Sequence, residues 1–163
     1  MKKDSEMFIN LRAFDCICQQ CAHRFVGVGF PDFEYGRRIF RTKSGKSLAL
    51  WIGYEDQVGD EFDALLRKII GIALSPRKSA TLFDLTFGIT CDPVNGEPVD
   101  PSQRQVCPNC GSDQLKTLDI VPKKMVETKV YPIRHTQWLE KGAAEQEKEL
   151  RVALGGLNLT RQP

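Results

Sequence analysis

The sequence lacks any long apolar run. Its longest stretch of apolar residues lies near Ile69 to Leu74, whereas a membrane-spanning helix needs about 20 consecutive apolar residues. The start of the chain through Met7 to Arg12 also lacks the unbroken apolar segment of a secretory signal peptide. These absences argue against a membrane protein. They predict a cytoplasmic location, where cysteines stay reduced and bind metal rather than forming disulfides.

The sequence also has little net charge. Its 23 Lys and Arg residues against 21 Asp and Glu residues give a net charge of +2. A general affinity for nucleic acid or anionic membranes is therefore not expected, and such binding would need a local basic patch. Of the 163 residues, 41% are hydrophobic and 27% are charged. This composition suits one modest hydrophobic core, or a small core beside a lobe held together by a metal ion.

Histidine is scarce, and the two histidines do not suggest catalysis. His23 follows a cysteine pair closely enough to contact a sulfur, and His135 precedes a predicted helix. Acidic residues cluster around the start of another predicted helix, where the helix dipole favours negative charge; they are Glu55, Asp56, Asp60, Glu61 and Asp63. Because no nucleophile, base and orienting group stand in a recognisable pattern, the sequence predicts a protein that is not an enzyme.

Four of the six cysteines form two Cys-x-x-Cys pairs, Cys18 with Cys21 and Cys107 with Cys110. Each pair makes a tight turn whose sulfurs can both reach a point about 2.3 Å away, so two facing turns supply the tetrahedral shell that zinc prefers. A shell filled by four protein sulfurs has no open position for water or substrate. The spacing therefore predicts a structural Zn²⁺ that serves folding rather than catalysis.

Other roles for the cysteines stay open at this level. Iron in a rubredoxin-like site would use the same four sulfurs. A redox role is the weaker interpretation, because neither pair is at the strand-to-helix junction of a thioredoxin-like unit. Cys16 and Cys91 are interpreted as buried apolar side chains, although Cys16 is close enough to Cys18 in sequence to substitute as a ligand.

The run CPNCG at 107–111 resembles the second knuckle of the zinc-ribbon superfamily, and CQQCAHRF at 18–25 resembles the first. The resemblance implies rubredoxin-like knuckles with Cys18, Cys21, Cys107 and Cys110 as the metal ligands. It covers only the knuckles and their flanking strands, and Ala22 stands where the superfamily usually has glycine. The first knuckle is also similar to that of small bacterial regulatory zinc-ribbon proteins, which lack so large an insertion; here 85 residues separate the two cysteine pairs.

The predicted fold class is α+β, with short antiparallel strands in the ribbon. Alternating apolar residues flank both cysteine pairs, which is typical of strands. The predicted ribbon is discontinuous, with parts at 7–30 and 104–133. An inserted α/β subdomain would occupy 31–103, followed after the ribbon by a C-terminal helix at 134–155 and a flexible tail at 156–163.

The insertion is predicted to be ββαβ. Residues 35–42 and 48–54 indicate a hairpin, and alternation over 83–89 indicates a strand. Between them, apolar residues recur at helical spacing from Phe62 to Ala73, with Asp60 as the predicted cap. The C-terminal helix is predicted over 137–154, with Thr136 as N-cap. Its polar middle suggests that it projects, or packs by its ends through Trp138, Leu139, Leu150 and Leu154.

Two functions follow as expectations. The first is a non-enzymatic, zinc-stabilised binding or adaptor protein with a protein partner and a possible regulatory role, and with no membrane contact or small-molecule substrate. The alternative is nucleic-acid binding through the basic hairpin, where cationic side chains would hold phosphates and aromatic rings would stack on bases. The residues for that alternative are Tyr35, Arg37, Arg38, Phe40, Arg41, Lys43 and Lys46.

Overall fold

The computed structural model describes residues 5–30, 34 and 36–157. In these ranges it contains a seven-stranded sheet and four α-helices, so the predicted α+β class with a C-terminal helix is confirmed. The strands are β1 (Met7–Cys18), β2 (Arg24–Gly29), β3 (Arg37–Thr42), β4 (Leu48–Ile52), β5 (Val99–Asp100), β6 (Leu115–Asp119) and β7 (Met125–Pro132). The helices are α1 (Gln57–Ile70), α2 (Pro76–Thr86), α3 (Thr136–Leu139) and α4 (Ala143–Gly155), with 3₁₀ turns at Gly53–Glu55 and Phe87–Thr90. None of the described helices is long and apolar enough to cross a membrane.

Strand β1 organises the sheet. The strand order is β2-β1-β7-β4-β3-β5, and β6 pairs with β1 beside β7. The first half of β1 pairs with β7 and its second half with β6, while β2 lies along the opposite edge. All these pairings are antiparallel, and the one parallel contact joins β4 to β7. The strands around the cysteine pairs are therefore continuous with the sheet of the insertion.

The main core lies on the insertion side of this sheet and is rich in aromatic residues. Phe87 is fully buried, and its ring centroid lies 4.4 Å from that of Phe83 and 5.4 Å from that of Phe62. Phe40 on β3 stacks on Trp51 on β4 with centroids 5.3 Å apart. Offset and edge-to-face contacts of this kind add to the free energy of burial. The hairpin and the helices are held together mainly by this cluster.

Helix α1 forms where the apolar spacing predicts a helix, but its cap is different. The Asp56 side chain accepts a hydrogen bond from Val58 N, which makes Asp56 the N-cap, and Asp60 lies inside the first turn. The helix ends at Gly71, whose φ of 67° is a left-handed conformation that favours glycine. The prediction of Asp60 as the cap was wrong because Asp56, four residues earlier, offers the same side chain for capping.

The strand predicted over residues 83–89 is wrong, since these residues belong to helix α2 and the following 3₁₀ turn. Ser75 caps α2 by accepting from Lys78 N, and Pro76 occupies its first turn, where a missing N–H costs nothing. Phe83 and Phe87 are four residues apart and stack on one face. Apolar residues at 82, 83, 85, 87 and 89 fit a period of two as well as a helical period. The alternation therefore indicated a strand where the structure has a helix.

The C-terminal helix is divided into α3 and α4, with Gly142 immediately before α4. Thr136 is the first residue of α3 rather than its cap, and the Asp92 carboxylate accepts hydrogen bonds from the N–H groups of residues 136 and 137 instead. Trp138 and Leu150 are buried in the main core, whereas Leu139 is exposed. Residues 158–163 of the predicted tail lie outside the described residues.

A buried polar contact links β4, α1 and the start of α3. Asp56 Oδ2 accepts from Trp51 Nε1 at 2.6 Å and lies 3.0 Å from His135 Nε2. The other ring nitrogen of His135 lies 2.9 Å from the Thr90 carbonyl oxygen. Burial raises the pKa of Asp56, but the hydrogen bonds from His135 and Trp51 outweigh it and hold that pKa below its ordinary value. Both ring nitrogens of His135 face acceptors, so the ring ties these segments together.

We expect Asp56→Asn to lower the free energy of unfolding by about 1–3 kcal/mol at neutral pH, because the new amide would turn a donor toward groups that are themselves donors. Since the folded pKa of Asp56 lies below its unfolded value, its contribution is complete above the unfolded value and is lost as the pH falls through the folded one. The difference from wild type should therefore shrink below about pH 4. Urea unfolding of both proteins at the two pH values measures this.

The matched control is Asp60→Asn, an exposed change in the same first turn. It should alter the free energy of unfolding by less than about 0.5 kcal/mol at either pH. Equal stability of wild type and Asp56→Asn at neutral pH would contradict the role assigned to Asp56.

Candidate metal centre

Strand pairing brings the two cysteine pairs together. Cys18 is the last residue of β1, and Cys21 lies in the turn that leads to β2. Cys107 and Cys110 lie in the turn that precedes β6, and β6 pairs with β1 so that Leu115 is opposite Cys18. Because β1 pairs with both β2 and β6, the two turns meet at one end of the strand.

The four sulfurs form a single cluster. All lie within 4.8 Å of one another, and the pairs Cys18–Cys110 and Cys21–Cys107 have sulfurs 3.6 Å apart. A disulfide would need about 2.05 Å, and all four residues are free thiols. A tetrahedral ion with bonds of about 2.3 Å would place its sulfur ligands about 3.8 Å apart. The cluster therefore has the donors and the spacing to hold a metal ion.

The two turns repeat the same backbone pattern. Ala22 N donates to Cys18 O at 2.9 Å, and Gly111 N donates to Cys107 O at 2.8 Å. Cys18 N and Cys107 N in turn donate to the carbonyl oxygens five residues ahead of each. The residue after each second cysteine has positive φ, 60° for Ala22 and 75° for Gly111. The departure from glycine noted in the sequence thus falls on a position that needs a left-handed backbone.

Backbone N–H groups of the turns point at the sulfurs and favour thiolate. Hydrogen bonds from Cys21 N–H and Gln20 N–H lower the pKa of Cys18. The Asn109 side chain, whose Nδ2 lies 3.5 Å from the Cys21 sulfur, acts with His23 N–H to lower the pKa of Cys21 to about 6. The contact from Asn109 was not predicted, because the second variable position of a knuckle has no fixed identity.

The four thiols cannot all ionise together without a cation. The N–H of Ser112 lowers the pKa of Cys110, but burial and the neighbouring thiols outweigh it and raise that pKa to about 12. Thiolates this close repel one another, and a divalent ion removes the repulsion. A metal ion held at this cluster would therefore compete with protons, and its binding would release them.

The remaining cysteines and His23 lie outside the cluster. Cys16 is buried on β1, and its sulfur lies 3.8 Å from the carbonyl oxygen of Phe14. Burial raises the pKa of Cys91 to about 12, and its sulfur lies 3.8 Å from Phe87 O against the main core. The His23 ring stacks on Phe25 rather than joining the sulfurs.

The residues predicted to bind nucleic acid differ in exposure and in their contacts within the molecule. Phe40 is 1% exposed and belongs to the core, so its ring is not accessible to a base. Arg38 forms a bidentate salt bridge with Asp84, with Nη1–Oδ1 and Nη2–Oδ2 distances of 2.7 and 3.1 Å. Arg37 Nη1 lies 3.5 Å from Glu34 Oε2. Arg41 is half-buried beside Gln105. The lysines at 43 and 46 are exposed, and Tyr35 lies outside the described residues.

Comparison with known proteins finds no matching family model, no matching curated protein and no matching solved structure. What the structure itself shows is a four-cysteine cluster that could hold a metal ion, built from two turns with the same spacing and the same backbone hydrogen bonds.

We expect Cys107→Ser to abolish stoichiometric metal binding, since one sulfur of the cluster is lost, while Cys91→Ser leaves metal content unchanged. Both cysteines are largely buried, so the second variant controls for thiol removal from the interior. Elemental analysis of metal per chain gives the readout. Equal metal loss in the two variants would show that the ligand set is wrong.

Ala22→Gly should stabilise the metal-bound protein by about 1 kcal/mol, because glycine relieves the positive φ of 60°. Gly111→Ala should destabilise it by a similar amount. An added Cβ at Gly111 meets no atom within 4 Å, so the backbone conformation alone is tested. Thermal unfolding with excess metal measures both changes, and shifts of the same sign would contradict the equivalence of the two turns.

Proposed function

We propose that the ion is zinc and that its role is structural, in a zinc-ribbon-like arrangement of the two knuckles. The donor set supports zinc, since four thiolates on two Cys-x-x-Cys turns are the usual shell of structural zinc sites. Cys18, Cys21, Cys107 and Cys110 would hold it. The ion would neutralise the thiolates and hold the two turns together. Its binding free energy would then add to the stability of the folded state.

We further propose that the chain is a non-enzymatic binding or adaptor protein that acts through protein–protein contacts and takes part in regulation. The observation that carries this is the convergence of all four sulfurs on one point, which leaves a tetrahedral ion no position for substrate. The strands around the site also present apolar side chains to solvent. Phe8 and Val26 are each 59% exposed, and Leu118 and Met125 are 43% and 47% exposed. Exposed apolar residues on a rigid sheet suit contact with a protein.

Nucleic-acid binding through the basic hairpin is the alternative. The exposed lysines at 43 and 46 support it, whereas the contacts of Phe40, Arg37 and Arg38 within the molecule weaken it. Phosphate contacts would make any such affinity fall steeply with added salt.

A pull-down with the full chain as bait, from native lysate with and without nuclease treatment, tests the proposal. We expect a discrete protein to be retained by wild type and lost with Phe8→Glu, which replaces an exposed apolar side chain of β1 with a charge. Tyr54→Glu is the matched control, because Tyr54 is 61% exposed but lies on the insertion. Elemental analysis of the same bait should find zinc.

The proposal would be wrong if neither protein capture nor zinc is found. It would give way to the alternative if capture depends on nucleic acid, weakens with salt and is lost with Lys43→Ala plus Lys46→Ala. Iron in the bait would overturn the assignment of the metal as zinc and leave the rest of the proposal unchanged.

A further inference from the structure

Strand β2 lies at one end of the sheet order, so one side of it has no neighbouring strand among the described residues. Its other side pairs with β1 from Arg12↔Gly29 to Ile17↔Arg24. An unpaired strand edge presents a row of N–H and C=O groups that another strand can bind.

The hydrogen bonds of the neighbouring turns determine which backbone groups of β2 point away from β1. Cys18 N donates to His23 O toward β2, whereas Gln19 N donates to Gln114 O toward β6. Because bonding direction alternates along an antiparallel ladder, residues 25, 27 and 29 bond to β1. The backbone groups of Arg24, Val26 and Val28 therefore point outward. No described residue bonds to them on that side.

The β2 edge is less protected than the other edges of the described sheet. β5 has only two residues, and β6 carries Lys116 and Asp119. β2 has the sequence RFVGVG, with no proline and with Arg24 as its single charge. Proteins usually protect an edge of this length with proline, lysine or a bulge. The 59% exposed Val26 at its centre adds an apolar contact point.

The strand is also held firmly enough to act as a template. An added Cβ at Gly27 would lie 2.6 Å from Gln105 Oε1 and 2.9 Å from the Cys16 sulfur, so the inner face of β2 is closely covered. Its first residue follows the Cys18–Cys21 turn by only three positions. The edge is therefore positioned by the cysteine cluster and by the loop that carries Gln105.

We propose that two copies of this chain associate by antiparallel pairing of their β2 edges about a two-fold axis through Val26. In this register Arg24 of each copy lies opposite Val28 of the other, and the two Val26 side chains meet at the axis. All three outward residues have the same bonding direction, so every N–H and C=O that points outward finds a partner. The two arginines stay apart, which avoids like-charge contact.

This self-complementarity is the reason to name a second copy rather than an unrelated peptide. A two-fold interface requires one patch to match itself, and β2 meets that requirement in hydrogen bonding, side-chain contact and charge. The pairing would join the two ribbons into one continuous sheet. The association would also be weak, because stable complexes bury about 1,200–2,000 Å² of accessible surface in total and a single strand pair buries less.

Amide hydrogen exchange by NMR on the metal-loaded, reduced full chain tests the pairing. Between about 10 μM and about 1 mM, a range suited to weak association, sedimentation should show a monomer–dimer equilibrium. Over the same range the amides of Arg24, Val26 and Val28 should become at least about tenfold more protected, reflecting the bound fraction. Those of Phe25 and Gly27 should not change, because they already bond to β1.

Charge substitution supplies a rescue. Val26→Lys alone and Val26→Glu alone should each weaken dimerisation about tenfold by placing like charges at the axis, and an equal mixture of the two should associate at least as well as wild type. Leu118→Lys is the control, an exposed apolar residue on β6 with the same change, and it should leave dimerisation unchanged. Metal content and amide dispersion of each variant report whether it folds.

A monomer throughout the concentration range would overturn the proposal, whatever the variants do. A dimer whose protected amides lie outside 24, 26 and 28, or one that Leu118→Lys disrupts as strongly as Val26→Lys, would place the interface elsewhere and also overturn it. The pull-down and the elemental analysis are independent readouts, so failure of the dimer leaves the proposed function to be tested separately.

Discussion

The convergence of four thiol sulfurs is the constraint on which the arrangement of the strands depends. Cys18 and Cys21 must meet Cys107 and Cys110 across an 85-residue interval, and neither pair can complete a metal shell alone. β1 satisfies this requirement by pairing with β2 on one side and with β6 on the other, so that both turns reach the same end of one strand. Without a cation the thiols oppose one another's ionisation, as the raised pKa of Cys110 indicates. The cluster therefore has the geometry to hold a cation, and a bound ion would replace this repulsion between the thiolates with attraction.

The rest of the molecule has a second and different source of stability. The aromatic cluster around Phe87 lies among β3, β4 and the helices, and none of the four clustered cysteines belongs to it. The two regions are joined by backbone rather than by a shared core, through the pairing of β1 with β7 and of β7 with β4. The buried contact of Asp56 with His135 then fixes the last helices against the insertion. This arrangement explains how a long insertion can be accommodated between two halves of a metal site without separating them.

Sequence patterns predicted the parts in which one local signal was unambiguous. The cysteine spacing, the alternation around residues 48–52 and the apolar period of α1 each indicated the right element. The strand expected at 83–89 failed because clustered aromatic residues satisfied two periods at once, and tertiary packing of Phe83 on Phe87 decided for a helix. The hairpin was also predicted correctly, but the sequence could not tell which of its faces is covered. That face is covered by α1 and α2, so Phe40 became a core residue instead of a surface ring.

The positions of the metal ligands and of the free edge are linked by the chain itself. β2 begins three residues after Cys21, and the bond from Cys18 N to His23 O is both the closing bond of the knuckle and the first step of the β1–β2 ladder. The bonding direction set at this step determines that Arg24, Val26 and Val28 face outward. A change in the knuckle that shifted this register by one residue would turn a different set of backbone groups toward solvent and reverse the side chains on both faces. The cysteine turn thus sets the register of β2 and with it the backbone groups at the free edge, and an ion held by the cysteines would influence that edge without touching it.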